Sequence, residues 1–439
     1  MMESTQSDFS SFVYSWLAAT PDLFDPTDVQ TRQASSSACS LVSLSSSSLS
    51  LASPSSSASI CHSASFKGEV LKRKRSMNNE AASNSGSGTA DARAVNSSSE
   101  GSTPPSSRQR SSNLARQALN KLRLAKPPVL LRQPDVRVEQ PPAVRRLIIL
   151  MTKASSKVIP HSLQDRIRAV DPHRFEVFEA SGASDPLFED PAAVYSDSYI
   201  NDLWRAVDEV YNEARFCSDH FVDEAAWMRV VDKVLKSAEL GQDSSMLALL
   251  SIQTQAIDPV FVPKHPSQVF AKKVDLAFIF SLEHPTVATA IEPLEEIYQG
   301  IAFSQMADAY TSRAPMVCCL EVKACGGDSN EALLQFAIWC AAGLERLRGL
   351  WELNSERDLQ EELPPFLGWT VVGHDWKFHI SWKDSNGRVT VFGPCSFLNA
   401  GTGSHVEIFV LIALIRQVKR WLEEEYWTWL YRNVLDGLK

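Results

Sequence analysis

Two kinds of hydrophobic pattern follow one another in the second half of the chain. Apolar residues recur at helical spacing over residues 198–215, and again after Asp223, which is a favourable N-cap residue. The spacing then changes, because residues 274–282 and 316–324 are short, dense apolar runs typical of strands buried on both faces. The pattern therefore predicts two helices followed by buried strands.

The rest of this half continues the alternation. Residues 330–350 carry an apolar stripe that predicts a long helix, and residues 369–382 and 388–392 predict further strands. Residues 405–435 predict one or two closing helices. The order of elements predicts an α/β fold, with a sheet flanked by helices, rather than a repeat array.

The first third of the chain lacks such patterns. Residues 34–115 are dominated by serine and contain almost no aromatic side chains, so they cannot bury enough apolar area to offset the entropy of ordering. A short helical pattern at 114–125 ends before Pro127, and a proline-containing linker follows. We expect a largely disordered region over 1–145, a linker and the start of the folded region over 146–200, and the main domain over 200–439.

Charge is divided in a similar way. Residues 1–150 contain 17 Lys and Arg against 11 Asp and Glu, whereas residues 151–439 contain 26 against 41. A basic arm on an acidic body suits electrostatic contact with a nucleic acid or another polyanion, although it is also the composition of a solvated tail.

Other features bear on the cellular compartment. The eight cysteines show no C-x-x-C pair and no zinc spacing, which favours a reducing compartment. No secretory signal stands at the N-terminus, and the apolar stretch at 408–415 is too short for a bilayer, so we expect an intracellular protein without a membrane partner. The basic run Lys72-Arg73-Lys74-Arg75 is of the kind that directs nuclear import, but such runs also occur by chance in tails.

Two charged residues stand inside the second predicted strand. Side chains alternate along a strand, so Glu321 and Lys323 share one face of a run that is otherwise apolar. Burying an unpaired charge is costly, so both side chains need partners or a polar cleft. An ordinary Glu–Lys pair facing solvent at a strand end is the alternative.

A second carboxylate strengthens the functional hypothesis. Asp275 begins the other buried run, and two carboxylates with one backbone carbonyl can hold Mg²⁺ while leaving positions for water and a phosphate oxygen. A neighbouring lysine can orient or deprotonate the attacking water and offset the charge that develops on phosphorus. Asp275, Glu321 and Lys323 are therefore the candidate centre.

These residues belong to a longer series of motifs. The series consists of Glu224-Ala-Ala-Trp227, Lys272-Lys273-Val274-Asp275, Leu320-Glu321-Val322-Lys323, Glu331-Ala332 with Gln335 and Trp339, Pro365-Phe366-Leu367, Gly373-His374-Asp375-Trp376 and a closing Tyr426-Trp427. With it the chain resembles the PD-(D/E)XK nuclease superfamily, and within that superfamily the fungal nuclease-like domain proteins. Val274 replaces the proline that names the motif, and the long separation of Asp275 from Glu321 implies an insertion over about 283–313.

The resemblance implies a fold and a set of roles. The fold is a restriction-endonuclease-like α/β core with a mixed central sheet. Asp275, Glu321 and the carbonyl of Val322 would bind Mg²⁺ or Mn²⁺, and Lys323 would be the catalytic lysine. Glu224 would lie beside the metal, and Gln335 would be the polar residue on the helix that packs against the active strands. For these last two, a solvated position on a helix is the alternative.

The remaining candidates are weaker. His374 and Asp375 are adjacent, so in one strand they would point to opposite faces and could not form a dyad. Trp421, Trp427 and Trp429 are expected in the core rather than as base-stacking platforms. Four lysines could contact phosphates beside the site: Lys264, Lys272, Lys273 and Lys377.

The resemblance favours a metal-dependent nuclease that hydrolyses phosphodiester bonds, with DNA as the favoured partner. A catalytically silent binding or scaffold protein of the same fold is the alternative, and the acidic body favours it. The sequence does not reveal the oligomeric state.

Overall fold

The computed structural model describes residues 107–135, 137–182, 184–242, 245–271, 273–355, 357, 361–398 and 400–438, with side chains from residue 112 onward. The Ser-rich tract before residue 107, its predicted disorder and the basic run at 72–75 lie outside these residues. Among the described helices, none combines the length and apolar character needed to cross a membrane.

One mixed sheet organises the described residues. Its strands are β1 (Val129–Arg132), β2 (Leu247–Ser251), β3 (Leu276–Phe280), β4 (Met316–Lys323), β5 (Phe366–Val372), β6 (Asp375–Lys383), β7 (Val389–Phe392) and β8 (Ala400–Gly401). The strand order is β1-β7-β6-β5-β4-β3-β2, with β8 paired to β6. The β4–β5 and β1–β7 pairs are parallel and the others antiparallel, so the predicted mixed sheet is confirmed.

Helices flank this sheet. They are α1 (Ser107–Leu122), α2 (Pro142–Ala154), α3 (Gln164–Val170), α4 (Pro172–Ser181), α5 (Asp197–Asp219), α6 (Glu224–Glu239), α7 (Pro285–Ile297), α8 (Ser329–Leu353), α9 (His405–Trp421) and α10 (Trp427–Leu430). Short π-helical turns at 422–426 and 431–435 surround α10. The helix α8 packs against β4, β5 and β6, and α6 packs against β4 and α9.

Local sequence explains where the helices near the site begin. The side chain of Asp223 accepts a hydrogen bond from the backbone N–H of Ala226 at the start of α6. Asp328 does the same for Asn330 and Glu331 at the start of α8. Both carboxylates satisfy backbone donors that the first helical turn leaves free.

The segment predicted as strand at 369–382 is strand in the structure, but a turn at Gly373 and His374 divides it into the hairpin β5–β6. Gly373 adopts a positive φ of 59° between β5 and β6, and this conformation is inexpensive only for glycine. His374 consequently lies in the turn, while Asp375 begins β6.

The described fold also begins earlier along the chain than the sequence pattern indicates. Leu119 and Leu122 of α1 are buried, and β1 forms an edge of the central sheet. The α1 helix packs along α8. Prolines around β1 mask its short apolar pattern, so sequence periodicity places it in a linker.

Candidate functional site

The ends of β3 and β4 bring the three candidate residues together. Asp275 directly precedes β3, which pairs antiparallel with β4 so that Leu276 lies opposite Leu320. Asp275 is therefore beside the C-terminal end of β4, where Glu321 and Lys323 stand. The backbone N–H of Asp275 donates to the carbonyl of Leu320 at 3.3 Å and fixes this junction.

The Asp275 carboxylate is held by two donors. Its Oδ2 accepts a 2.7 Å hydrogen bond from the backbone N–H of Val322, and its Oδ1 accepts a 3.0 Å bond from Gln253 Nε2. Asp275 is 7% exposed. These contacts fix the direction of the carboxylate across the β3–β4 junction.

Glu321 is fully buried on β4. Its Oε1 accepts a 2.6 Å hydrogen bond from Lys323 Nζ, whereas its Oε2 has no hydrogen-bond partner among the described residues. Burial raises the pKa of Glu321 well above its ordinary value and Asp275 raises it further, while Lys323 opposes both. An unpartnered buried carboxylate oxygen beside a second carboxylate is a site at which a cation would be stabilised.

Lys323 lies between two carboxylates. Its Nζ is 2.6 Å from Glu321 Oε1 and 3.4 Å from Glu224 Oε2. Burial lowers the pKa of Lys323, but the charges of Glu321, Glu224 and Asp275 outweigh this, so the pKa lies above its ordinary value. In this arrangement Lys323 is an ammonium ion, which suits it for stabilising negative charge.

Glu224 and Gln335 take different positions. Glu224 is the first residue of α6, its side chain is 43% exposed, and it contacts the site through Lys323. Gln335 on α8 is half-buried, and its Nε2 donates a 2.6 Å hydrogen bond to the carbonyl of Lys273. Gln335 therefore ties α8 to the segment that carries Asp275, and its described hydrogen bond is to backbone rather than to the candidate carboxylates.

Sequence reasoning missed two features of the site. Gln253, in the loop after β2, contacts Asp275, and only its place after a short apolar run could have drawn attention to it. Gly327 follows β4 so closely that an added Cβ would lie 2.6 Å from Lys323 Cβ. The Gly326-Gly327 turn thus lets the chain pass against the stem of Lys323.

The other candidates lie elsewhere. His374 Nδ1 is 3.1 Å from Thr402 Oγ1, and the ring packs edge-on against the buried Trp227. Trp421 and Trp427 are buried, and Trp429 packs against Trp351.

Two of the lysines predicted beside the site make side-chain contacts elsewhere. Lys273 Nζ donates to the carbonyl of Thr254, and Lys377 Nζ lies 3.7 Å from Asp375 Oδ2. Lys264 pairs through its backbone with Lys126, and Lys272 lies outside the described residues.

Donors for a divalent ion are present as a carboxylate pair. Across the part of the chain that is described, no group of three or more His, Cys, Asp or Glu side chains is arranged to hold a metal ion. Asp275, Glu321 and a backbone carbonyl nevertheless form the kind of oxygen donor set that Mg²⁺ and Mn²⁺ accept, with water completing the coordination. The unpartnered Glu321 Oε2 fits such an ion.

One comparison with known proteins identifies the family of the chain. A family model described as the PD-(D/E)XK nuclease superfamily matches residues 173–427, which is more than half of the chain and includes all the candidate residues. No curated protein and no solved structure matches significantly. The matched residues and the mixed sheet establish the family, and the chain belongs to the PD-(D/E)XK nuclease superfamily.

Proposed function

We propose that the protein is a metal-dependent nuclease that hydrolyses phosphodiester bonds of nucleic acid, with DNA as the favoured substrate. One observation carries the proposal, and it concerns the fully buried Glu321. Glu321 shares the Lys323 ammonium group with Glu224, and the charge of Asp275 raises its pKa. One of its carboxylate oxygens has no hydrogen-bond partner among the described residues. Such an accumulation of buried charge is costly for stability and is typical of catalytic centres.

Each residue has a distinct part in this proposal. Asp275, Glu321 and the Val322 carbonyl would hold Mg²⁺ or Mn²⁺, and a bound ion would neutralise phosphate charge and lower the pKa of a water. The N–H of Val322 and the amide of Gln253 orient the Asp275 carboxylate. The Lys323 ammonium stabilises negative charge on the attacked phosphate, and Glu224 restrains that ammonium group.

A basic segment supports a polyanionic substrate. Residues 101–134 contain seven Arg and Lys and no Asp or Glu, in contrast to the acidic body. Within this segment α1 packs along α8, and Asn330 Nδ2 donates to Ser112 Oγ at 3.3 Å. Asn330 lies in the first turn of α8, seven residues after Lys323, so the basic segment contacts the helix that follows the site-bearing strand β4.

A catalytically silent binding protein is the second candidate. The net charge of −15 over residues 151–439 favours it, because nucleases that grip an extended duplex usually present a broad basic surface. Nuclear localisation, suggested by Lys72-Arg73-Lys74-Arg75, also stays a proposal.

The experiment is a cleavage assay with purified protein and single- and double-stranded DNA and RNA. The wild-type chain should cut at least one substrate in Mg²⁺ or Mn²⁺ and none in EDTA. Asp275→Asn and Lys323→Ala should each lower the rate by roughly 100-fold or more, the usual cost of removing a group that stabilises the transition state. Lys236→Ala is the matched control, because Lys236 is a lysine on α6 whose described ion-pair partner is Asp232, away from the candidate carboxylates.

The outcomes separate the candidates. Equal cleavage by all four proteins would reveal a contaminating nuclease. Binding of a substrate without cleavage by the wild-type chain, in any divalent ion, would replace the nuclease with the silent binding protein.

A further inference from the structure

An exposed phenylalanine occupies an unusual backbone position next to the site. Helix α5 ends at Asp219, and Phe221 adopts a positive φ of 50°. The N–H of Val222 donates to the carbonyl of Cys217 at 3.1 Å, and the N–H of Phe221 donates to that of Ser218 at 3.3 Å. These two bonds form a Schellman motif with Phe221 at the left-handed position, where glycine is strongly preferred.

At the other described left-handed positions that follow helices the chain mostly uses glycine, although Lys157 after α2 has a φ of 53°. Gly182 follows α4 with φ of 66°, and Gly241 lies two residues after α6 with φ of 69°. A phenylalanine in this conformation costs conformational free energy that a glycine would not. Its presence after α5 therefore needs a compensating gain.

Packing does not supply that gain. Phe221 is 86% exposed. The apolar contact that usually accompanies the motif falls instead to its neighbours, because Cys217 is buried and Val222 packs against the core. The ring of Phe221 is thus dispensable for the fold.

Two more exposed rings lie within five residues of Phe221 along the chain. Phe216 is 53% exposed, and it stacks on the exposed His220 with ring centres 4.3 Å apart and planes inclined by 27°. We call Phe216, His220 and Phe221 the aromatic cap. Exposed π faces at the end of a helix offer a surface on which another flat ring can stack.

One member of the aromatic cap, Phe221, is close along the chain to the candidate centre. Phe221 is three residues before Glu224, whose carboxylate is 3.4 Å from Lys323 Nζ. Three residues span at most about 10 Å of chain. This is roughly the length of three nucleotides in a stacked strand, at about 3.4 Å each.

We propose that the aromatic cap stacks unpaired nucleobases of the strand whose phosphate occupies the site, so that the substrate is single-stranded or frayed nucleic acid. This inference rests on the proposed nuclease function. Stacking on aromatic side chains tolerates any base sequence, because every base presents a π face. It also uses little positive charge, which suits the acidic body of this chain.

The experiment measures binding of fluorescent oligonucleotides to the full chain by anisotropy, in Ca²⁺ with strand integrity checked on a gel. Two ligands carry the same backbone charge: a single strand with bases, and an abasic strand of equal length. Phe221→Gly should bind the strand with bases roughly 10-fold more weakly than wild type, the scale of one lost stacking contact, and the abasic strand equally. Phe221→Trp should retain wild-type affinity for both.

Two controls exclude a structural effect. Phe221→Gly should unfold at a temperature no lower than wild type, because glycine relieves the backbone strain. Tyr310→Ala removes an exposed aromatic ring from the loop that precedes β4, and it should leave both affinities unchanged.

Three results would overturn the inference. Unchanged binding by Phe221→Gly would show that the ring takes no part, and equal weakening on both strands would show that it does not act through bases. If the wild-type chain bound neither strand, both the nuclease proposal and the proposed base stacking would be refuted. The first two results would refute only the base stacking and would leave the nuclease proposal unaffected.

Discussion

His379 illustrates how completely this fold can bury an ionisable side chain away from the candidate centre. It is 2% exposed on β6, its Nε2 lies 3.0 Å from Thr370 Oγ1, and its ring packs on Phe336 of α8. Burial, assisted by the charge of Lys377, lowers the pKa of His379 to about 3. The folded protein therefore holds this histidine neutral throughout the physiological range.

This burial predicts a loss of stability in acid. Below about pH 6.5 the unfolded chain binds a proton at His379 that the folded chain does not bind until the pH approaches 3, so stability falls as the pH decreases. At pH 5 the loss is about 2 kcal/mol, at about 1.4 kcal/mol per pH unit. Urea unfolding at pH 7.5 and pH 5 should show that His379→Gln loses about 2 kcal/mol less than wild type over this interval.

Glutamine can keep a hydrogen bond to Thr370 without titrating, and the other titrating groups are common to both proteins. An identical loss in wild type and variant would show that His379 is not buried in its neutral form.

For individual residues, the chemistry of the site could be predicted from the sequence only in part. Charged residues within apolar strands pointed to Asp275, Glu321 and Lys323, since burial of charge is rare without a reason. Gln253 could not be found in this way, because polar residues in loops are common and its contact with Asp275 spans 22 positions. The hydrogen bond from Gln335 to the Lys273 carbonyl could not be predicted from the sequence either, because it depends on how α8 packs against a loop.

The helix α8 packs closely against the sheet. Gly343 on α8 lies against the ring of Phe366 on β5, so closely that a methyl group in its place would collide with that ring. Phe366 is 1% exposed and cannot turn toward solvent. Gly349, two turns further along the same helix, has open space where a methyl group would be placed.

These two glycines predict opposite effects of one substitution. Gly343→Ala should destabilise the protein by about 1–3 kcal/mol, the usual cost of overpacking a core. Gly349→Ala should stabilise it by up to about 1 kcal/mol, because alanine loses less backbone entropy in a helix. Urea unfolding of both variants tests this, and a stabilising Gly343→Ala would mean that α8 can move away from β5 at little cost.

Periodicity was sufficient for the longer elements and insufficient for the short ones. The helices α5, α6 and α8 and the buried strands β3 and β4 follow the apolar patterns closely. The hairpin between β5 and β6 was missed because its turn consists of two residues within an apolar run. The four residues of β1 were missed because they pair with β7, which is more than 250 residues away. Such pairing is a tertiary effect that local sequence does not encode.

For the whole molecule, charge is segregated along the chain. The basic excess of the first 150 residues belongs to the segment 107–150, which holds ten Arg and Lys against two Asp and Glu. Arg116, Arg123 and Lys126 of this segment are exposed, and none has an ion-pair partner among the described residues. A segment of this kind attracts phosphates without reading bases.

Reversing these charges should weaken binding in a salt-dependent way. The triple variant Arg116→Glu, Arg123→Glu, Lys126→Glu should bind single-stranded DNA with a weaker salt dependence. The negative slope of the log association constant against log salt should become smaller in magnitude by about 2, at about 0.7 per lost phosphate contact. Titrations between 50 and 200 mM salt measure the slope. The matched control reverses three exposed cations on the body, at Lys157, Arg205 and Lys236, and an equal loss there would assign the effect to net charge alone.

The unpartnered oxygen of Glu321 has a consequence for the way divalent ions change the stability of the protein. A divalent ion that binds the buried, unpartnered carboxylate oxygen stabilises the folded chain but not the unfolded chain. The melting temperature therefore rises with the concentration of that ion. Saturation to 100 times the dissociation constant should add about 2.7 kcal/mol. A thermal melt without nucleic acid can therefore rank divalent ions by affinity, and Glu321→Gln should abolish the ion-dependent shift while Glu283→Gln on the surface keeps it.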